Sequence, residues 1–158
     1  MTEILSIVRQ DKRSVIPATS DTGQRGELLA ARFLESVGYR LILSNFKVPI
    51  GRNSREAAVT GEIDIVALDG QTLCFIEVKT RVSAEFAPPA AAINTRKQRQ
   101  ITRAARVYRR VFGLTEMPYR YDVVSVILPG NGEPKIEVTK DFWNESQFRK
   151  KKWTGDIY

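Results

Sequence analysis

Residues 61–81 read GEIDIVALDGQTLCFIEVKTR, and this stretch decides the fold. Two apolar runs flank the dipeptide Asp69-Gly70, and an Asp-Gly pair in such a position is a strong signal for a β-hairpin. The sequence therefore predicts two antiparallel strands joined by a two-residue turn at Asp69-Gly70. The remaining elements are arranged around this hairpin.

Charged side chains alternate with apolar ones on both predicted strands. The predicted turn places Glu62 opposite Glu77 and Asp64 opposite Phe75, and successive side chains of a strand point to opposite faces. One face is then apolar, with Ile63, Ile65, Ile76 and Val78. The other face gathers three carboxylates and one ammonium, from Glu62, Asp64, Glu77 and Lys79. This convergence depends on the register, and a slip of one residue in the turn is expected to break it.

Three acids that face one Lys repel one another unless a cation lies among them. Asp64 lies diagonal to Glu77 at a Cβ spacing of roughly 5–8 Å, which can hold a divalent cation between two carboxylates. Oxygen-only ligation with open positions favours Mg²⁺ or Mn²⁺ over zinc. The alternative is a solvated strand face whose charges compensate one another.

Such a metal site suits phosphodiester hydrolysis, because the metal lowers the pKa of a bound water and polarises the phosphate. Lys79 could orient or deprotonate that water, or neutralise charge in the transition state. Thr80 and Arg81 follow directly and could hold a phosphate oxygen.

Outside the hairpin, apolar periodicity and turn residues mark the other elements. These are a helix from Asp21 or Thr22 to Val37 that ends at Gly38, a strand over 39–48, a helix over 95–112 capped by Asn94 or Thr95 and ended by Gly113, a strand over 119–128 and a short strand over 135–138. Residues 49–60 are predicted as a long loop, and residues 84–92 as a connection.

The order helix, strand, hairpin, helix, strand favours one α/β layer fold around a mixed sheet. A chain of 158 residues is expected to form about one domain. We divide it into an N-terminal extension (1–20), a single domain (21–140) and a basic C-terminal tail (141–158).

The second predicted helix accounts for the whole net charge of the chain, which is +7. Seven basic residues and no acid lie between Arg96 and Arg110. At about 100° per residue, an Arg stripe covers one face, and the opposite face carries Ile101, Ala105, Tyr108 and Phe112. An Arg stripe about 20 Å long suits a phosphate backbone; an acidic protein partner or a membrane surface is the alternative. The candidate nucleic-acid-binding residues are Arg81, Arg96, Lys97, Arg99, Arg103, Arg106 and Arg110.

Glu27 and Gln98 are polar residues near the starts of the two helices, and each has two interpretations. Glu27 could supply one more carboxylate to the metal site, or could only interact favourably with the helix dipole. Gln98 could reach into the site or contact water at the helix start. Three aromatic residues near the basic tail could stack on bases or belong to a packed or disordered tail: Trp143, Trp153 and Tyr158.

Composition excludes several classes of enzyme. The chain has no His, which rules out a Ser-His-Asp triad, a His-metal site and a His general base. Its one Cys, Cys74, rules out an intrachain disulfide and a Cys-based zinc site, and is predicted to fill the core. No apolar run approaches the length of about 18 residues that a membrane span needs. The N-terminus lacks a secretory signal, so a cytoplasmic protein is expected.

Several stretches together resemble the YraN-like family of small bacterial proteins. They are GQRGELLAARFL (23–34), GYRLILSNF (38–46), GEIDIVALDG (61–70), FIEVKTR (75–81), Lys97-Gln98 and YDVV (121–124). That family is in turn similar to the restriction-endonuclease-like superfamily with its PD-(D/E)XK signature, and within it to Holliday-junction resolvases.

The resemblance implies a restriction-endonuclease-like αβββαβ core, with a mixed central sheet flanked by helices. It matches the first Asp of the signature to Asp64, its acid to Glu77 and its Lys to Lys79. It also matches Glu27 to the family's first-helix acid and Gln98 to the Gln of the K-Q motif.

The sequence departs from the family pattern in three places. Ile63, not Pro, precedes the signature Asp. The 49–60 loop is longer than the family leads us to expect. Near the C-terminus, where the family leads us to expect a strand that contains a His, residues 136–143 read IEVTKDFW. This last departure does not touch the candidate catalytic residues, whereas the 49–60 loop is expected to enter the site.

These observations favour a Mg²⁺- or Mn²⁺-dependent endonuclease that acts on DNA, with branched or structured DNA as a candidate substrate. Asp64 and Glu77 would bind the metal with Glu27 or Glu62 assisting, and Lys79 would activate the water. Gln98 would orient a ligand or the scissile phosphate.

Two other hypotheses remain open at this point. One is a nucleic-acid-binding protein of the same fold without turnover, and the other is a protein-interaction factor that uses the long loop and the tail. A resolvase needs two active sites and hence a homodimer, but no surface in the sequence identifies one. No membrane partner is expected.

Overall fold

A computed structural model describes residues 21–82 and 93–148 of the chain. The elements are α1 (Asp21–Ser36), β1 (Arg40–Arg52), β2 (Ala58–Asp69), β3 (Thr72–Arg81), α2 (Thr95–Val111), β4 (Tyr119–Ile127), β5 (Lys135–Trp143) and a 3-10 helix (Glu145–Phe148). The predicted order of helices and strands is confirmed. The predicted extension 1–20, the connection 84–92 and the tail beyond 148 lie outside the described residues.

The five strands form one mixed sheet in the order β1-β2-β3-β4-β5. β3 and β4 are parallel, and the other neighbouring pairs are antiparallel. A parallel pair needs a long crossover connection, and α2 lies in the segment that makes it. The α/β class with a mixed central sheet flanked by helices is therefore confirmed.

Each helix packs against its own hydrophobic cluster, on opposite faces of the sheet. Successive residues of β3 alternate between them, so that Phe75 lies in the α2 cluster and Cys74 and Ile76 lie in the α1 cluster. Cys74 is fully buried, as predicted. Ala30 and Leu34 of α1 lie in the α1 cluster. Four residues of α2 lie in the α2 cluster: Ile101, Ala104, Ala105 and Tyr108. Within the described ranges, neither helix is long and apolar enough to cross a membrane.

The predicted loop over 49–60 is wrong, because most of it is strand. β1 continues to Arg52 and β2 begins at Ala58, which leaves a short turn. Asn53 orders this turn: its Oδ1 accepts hydrogen bonds from the backbone N–H of Arg55 and of Ala57, at 2.9 and 3.0 Å. Pro49 and Gly51 looked like strand breakers, but a bulge of an edge strand tolerates both.

The last strand is longer than the predicted 135–138, and it extends to Trp143. The register with β4 shifts between Tyr121 and Val123, and Asp141 has φ +54. This bulge interrupts the alternation that would have revealed the strand. Trp143 is buried, stacks on Tyr121 at 4.7 Å, and donates a hydrogen bond from Nε1 to Thr102 Oγ1 at 3.0 Å. It belongs to the core, whereas Trp153 and Tyr158 lie outside the described residues.

Candidate functional site

The register between β2 and β3 differs from the predicted one. Asp69 pairs with Thr72 and Ile65 with Ile76, so the two turn residues are Gly70 and Gln71. Gly70 has φ +59, which is the requirement at the first central position of a type II′ turn. The Asp69 carboxylate meanwhile accepts hydrogen bonds from Arg120 and Lys140 at 2.6 and 3.0 Å, which holds Asp69 in the strand.

The observed turn lies one residue later in the chain than the predicted turn, so each cross-strand partner is shifted by two residues. A two-residue shift returns every side chain to the face it had before. The predicted pairing of Glu62 with Glu77 is wrong, as is that of Asp64 with Phe75, whose partner is Val66. Continuing the observed register by one pair brings Asp64 level with Glu77. The two acids most important to the predicted site are thus closer than expected.

The sheet divides at Asp64. The β2–β3 pairing ends at Ile65–Ile76, whereas β1–β2 pairing continues outward to Arg52–Ala58. We call the two-stranded segment that is paired within itself but not to β3, residues 46–63, the β1–β2 ribbon. Together with the end of β3, which stays paired to β4, it forms a fork.

Asp64 lies at the base of the fork, where its side chain takes the place of a backbone hydrogen bond between β2 and β3. Its Oδ2 accepts a hydrogen bond from the Val78 backbone N–H at 2.8 Å. β2 also changes face here, because Ile63 packs in the α2 cluster and Ile65 in the α1 cluster. The prediction that Ile63 shares an apolar face with Ile65 is therefore wrong.

Glu77 is a buried acid between two lysines and a second acid. Its Oε1 lies 3.5 Å from Lys79 Nζ and 3.7 Å from Lys97 Nζ. Its Oε2 is buried and has no hydrogen-bond partner among the described residues. Burial is the main cause that raises the pKa of Glu77, to about 8, and the neighbouring Asp64 carboxylate raises it further.

Glu27 approaches Asp64 and Glu62 from α1. Burial raises its pKa, and the charges of Asp64 and then Glu62 add to the increase. The Asn45 side chain, which sequence reasoning missed, lowers it through a hydrogen bond. Asn45 has φ +54, and this conformation is one that Asn tolerates better than most residues.

Glu62 lies at the margin of this group. It is partly exposed and forms an ion pair with Lys47 at 3.8 Å. Within residues 21–82 and 93–148, no three acids converge closely enough to form a complete metal-ligand group. The structure brings Asp64 and Glu77 together, with Glu27 and Glu62 as more distant neighbours.

α2 contributes Lys97 to the site, while Gln98 points elsewhere. Gln98 donates a hydrogen bond from Nε2 to the Ile93 carbonyl oxygen at 3.0 Å, and its Oε1 accepts one from Gln147 at 2.7 Å. Lys97, predicted only as a nucleic-acid contact, reaches Glu77 instead. No local sequence pattern indicates this contact, because it depends on how α2 packs on the sheet.

The two-faced character predicted for α2 is confirmed. Ile101, Ala105 and Tyr108 of its apolar face are buried, whereas Phe112 at the C-terminal end is exposed. The predicted stripe residues are all exposed: Arg96, Arg99, Arg103, Arg106 and Arg110. Two of them also contact the end of the described chain: Arg106 pairs with Glu145 at 3.1 Å, and Arg99 lies 5.5 Å from the centre of the Phe148 ring. Arg81, the remaining predicted contact, is the last residue of β3, which is the second part of the fork.

The buried charge of Glu77 predicts a pH-dependent stability. In the folded chain its pKa is raised above the ordinary value of 4.5, so the folded state holds a proton that the unfolded state releases. Stability is therefore lost as pH rises from about 4.5 towards 8, and Glu77→Gln removes this loss. In EDTA, urea unfolding should show the variant more stable than wild type by about 1–3 kcal/mol at pH 8.5, and nearly equal at pH 5. Equal stability at both pH values would contradict a buried, charged Glu77.

Comparison with known proteins places the chain in a family. The model of "Uncharacterised protein family UPF0102" matches residues 26–126. A UPF0102 protein of Chlorobium limicola is 38% identical over 130 residues, covering 78% of this chain and 93% of its own. A UPF0102 protein of Solibacter usitatus is 44% identical over 115 residues, covering 73% and 80%. One of Geobacter sulfurreducens is 41% identical over 115 residues, covering 73% and 82%. The match includes most of α1, the fork, α2 and nearly all of β4. The chain is therefore a member of the UPF0102 family.

Proposed function

We propose that this protein is a metal-dependent endonuclease of the PD-(D/E)XK type that acts on DNA. The observation that carries the proposal is the pair of buried acids, Asp64 and Glu77, at the base of the fork, with Lys79 beside them. Burying two neighbouring carboxylates costs free energy unless a cation compensates them. An unfavourable arrangement of this kind is expected where the function requires a bound cation.

The donor atoms available at the fork fit Mg²⁺ or Mn²⁺. Glu77 Oε2 is buried and without a hydrogen-bond partner among the described residues, and Asp64 offers a second carboxylate next to it. Mg²⁺ typically takes one or two protein carboxylates and leaves its other positions to water and substrate phosphate. When bound there, the cation would supply a Lewis acid that polarises the scissile phosphate.

The protein's own groups provide the rest of the proposed chemistry. Val78 N–H fixes the orientation of the Asp64 carboxylate. Lys79 and Lys97 place two ammonium groups next to Glu77 Oε1, where they can bind a phosphate oxygen or orient a water. Glu27 adds negative charge from α1, and the exposed stripe on α2 holds the phosphate backbone.

The substrate class and assembly follow from the resemblance to Holliday-junction resolvases. We propose branched or otherwise structured DNA as the preferred substrate and a homodimer as the active species, because resolution of a junction requires two cuts. The proposed location is the cytoplasm.

The test is a panel of single-stranded, duplex, flapped and four-way DNA, incubated with the full chain in Mn²⁺ or Mg²⁺. Wild type should cleave at least one substrate, and Glu77→Ala should abolish cleavage while DNA binding is retained. Glu62→Ala is the matched control, because Glu62 is partly exposed on the neighbouring strand, and it should reduce cleavage far less.

Other outcomes would redirect the proposal. Salt-sensitive DNA binding without cleavage by any form would favour a nucleic-acid-binding protein that does not turn over. Loss of binding together with cleavage in Glu77→Ala would indicate that the site is structural, or that the metal is needed for docking. Absence of both activities in the wild type would contradict the nuclease and the binding protein alike.

A further inference from the structure

The β1–β2 ribbon extends from the site end of the sheet. Its paired strands run about six residues beyond Asp64, which is roughly 20 Å at the usual rise of a strand. At its far end, all residues from 51 to 58 are exposed. A two-stranded ribbon is one of the shapes that the major groove of DNA admits.

The ribbon is held by α2. The backbone at Gly61 lies so close to α2 that an added Cβ would stand 3.0 Å from Ala104 Cβ and 3.2 Å from the Gln100 carbonyl oxygen. Further from the tip, the Phe46 ring meets the Tyr108 ring at 5.2 Å. The ribbon therefore runs along α2, and its tip points towards the helix N-terminus, where Lys97 meets Glu77.

The tip carries two arginines in an ordered turn. Arg52 donates a hydrogen bond to the Glu56 carbonyl oxygen at 2.7 Å, and Asn53 holds the backbone of the residues that follow. Within the described part of the chain, neither Arg52 nor Arg55 forms an ion pair with an acid. An exposed guanidinium without a carboxylate partner is available to a phosphate.

We infer that the β1–β2 ribbon is a docking arm for nucleic acid, in which Arg52 and Arg55 bind backbone phosphates beyond the fork. The arm continues the basic stripe of α2 past its N-terminus, so the bound backbone would pass over the base of the fork. This inference rests on the proposed function. It adds a binding surface that neither the signature residues nor the α2 stripe includes.

The experiment measures how salt weakens binding of the full chain to a fluorescein-labelled four-way DNA junction in EDTA. Arg52→Gln/Arg55→Gln removes two charges from the tip. Because each phosphate contact contributes about 0.9 to the slope of log K against log salt, the slope should fall by about 1.5–2. Affinity at about 100 mM salt should fall roughly tenfold or more.

Two double variants with the same loss of charge serve as comparisons. Arg32→Gln/Arg40→Gln removes exposed charges from α1 and from the opposite end of β1, and should leave the slope unchanged. Arg103→Gln/Arg110→Gln on α2 should lower it. Melting temperatures confirm that all variants fold.

The outcomes separate the inference from the function on which it rests. If the tip variant behaves like Arg32→Gln/Arg40→Gln while the α2 variant loses affinity, the ribbon is not an arm but the proposed binding stands. If the tip and Arg32→Gln/Arg40→Gln variants lose slope equally, only total charge matters and the arm is again excluded. If the wild type shows a slope near zero, the proposed function fails and the arm fails with it.

Discussion

Lys79→Met should lower the DNA cleavage rate by about 10²–10⁴-fold, the range typical of removing a positioned acid–base group. Lys79 Nζ lies 3.5 Å from Glu77 Oε1, so the side chain is held beside the two acids that would bind the cation. Methionine keeps most of the length of the side chain and removes only its charge and its hydrogen-bond donors. DNA affinity should change by less than about threefold, because a single phosphate contact contributes little to overall binding.

Lys47→Met is the matched control for this prediction. Lys47 also pairs with a glutamate, Glu62, at 3.8 Å on the neighbouring strand, but its side chain is more exposed and Glu62 lies at the margin of the site. Single-turnover cleavage should remain within a few-fold of wild type. If Lys79→Met cleaves as fast as Lys47→Met, Lys79 has no role in the chemistry; if it loses binding as severely as cleavage, Lys79 anchors the substrate instead.

Gly26→Ala should destabilise the fold by about 1–3 kcal/mol, the usual cost of overpacking a core contact. At most positions inside a helix this substitution stabilises by roughly 0.5–1 kcal/mol, so the expected sign is reversed. The reason is a close approach between α1 and β3: an added Cβ would stand 2.8 Å from both Thr80 Cβ and Thr80 Cγ2, and closer still to the hydroxyl. Glu27 is the next residue, so a displaced α1 would also move this acid away from Asp64.

A double-mutant cycle with Thr80→Gly checks the cause of this effect. In urea unfolding, the two substitutions together should cost less than the sum of their separate effects, because Thr80→Gly vacates the space that the new methyl group needs. Additive effects would show that the helix–strand contact does not determine the cost. A stabilised Gly26→Ala variant would contradict the close approach itself.

The sequence predicted those elements whose pattern is local. The apolar faces of α1 and α2 and the alternation of the central hairpin produced the correct order of elements and the mixed sheet. The same alternation placed Asp64 and Glu77 on a common site, even though the turn was misplaced by one residue. The expectation that a one-residue slip of the turn breaks the site was therefore wrong, because moving a two-residue turn by one position moves each cross-strand partner by two and keeps each side chain on its face.

Features that depend on contacts distant in sequence could not be predicted. Pro49 and Gly51 suggested a loop, but pairing with β2 extends the strand through both residues. The bulge at Asp141 concealed the second half of β5. The contact of Lys97 with Glu77 depends on the docking of a helix twenty residues downstream of the acid, and no local pattern encodes such a distance.

The parallel pairing of β3 with β4 has a consequence for how the chain is made. As the protein emerges from the ribosome, the β2–β3 hairpin with its carboxylates appears first. β4, the parallel partner of β3, follows only after the whole of α2. Until then β3 presents an unpaired apolar edge, the kind of surface on which nascent chains aggregate or recruit chaperones. Pairing of β4 covers that edge and places Val123 beside Glu77. The late event that protects the nascent chain from aggregation therefore also completes the sheet around Glu77.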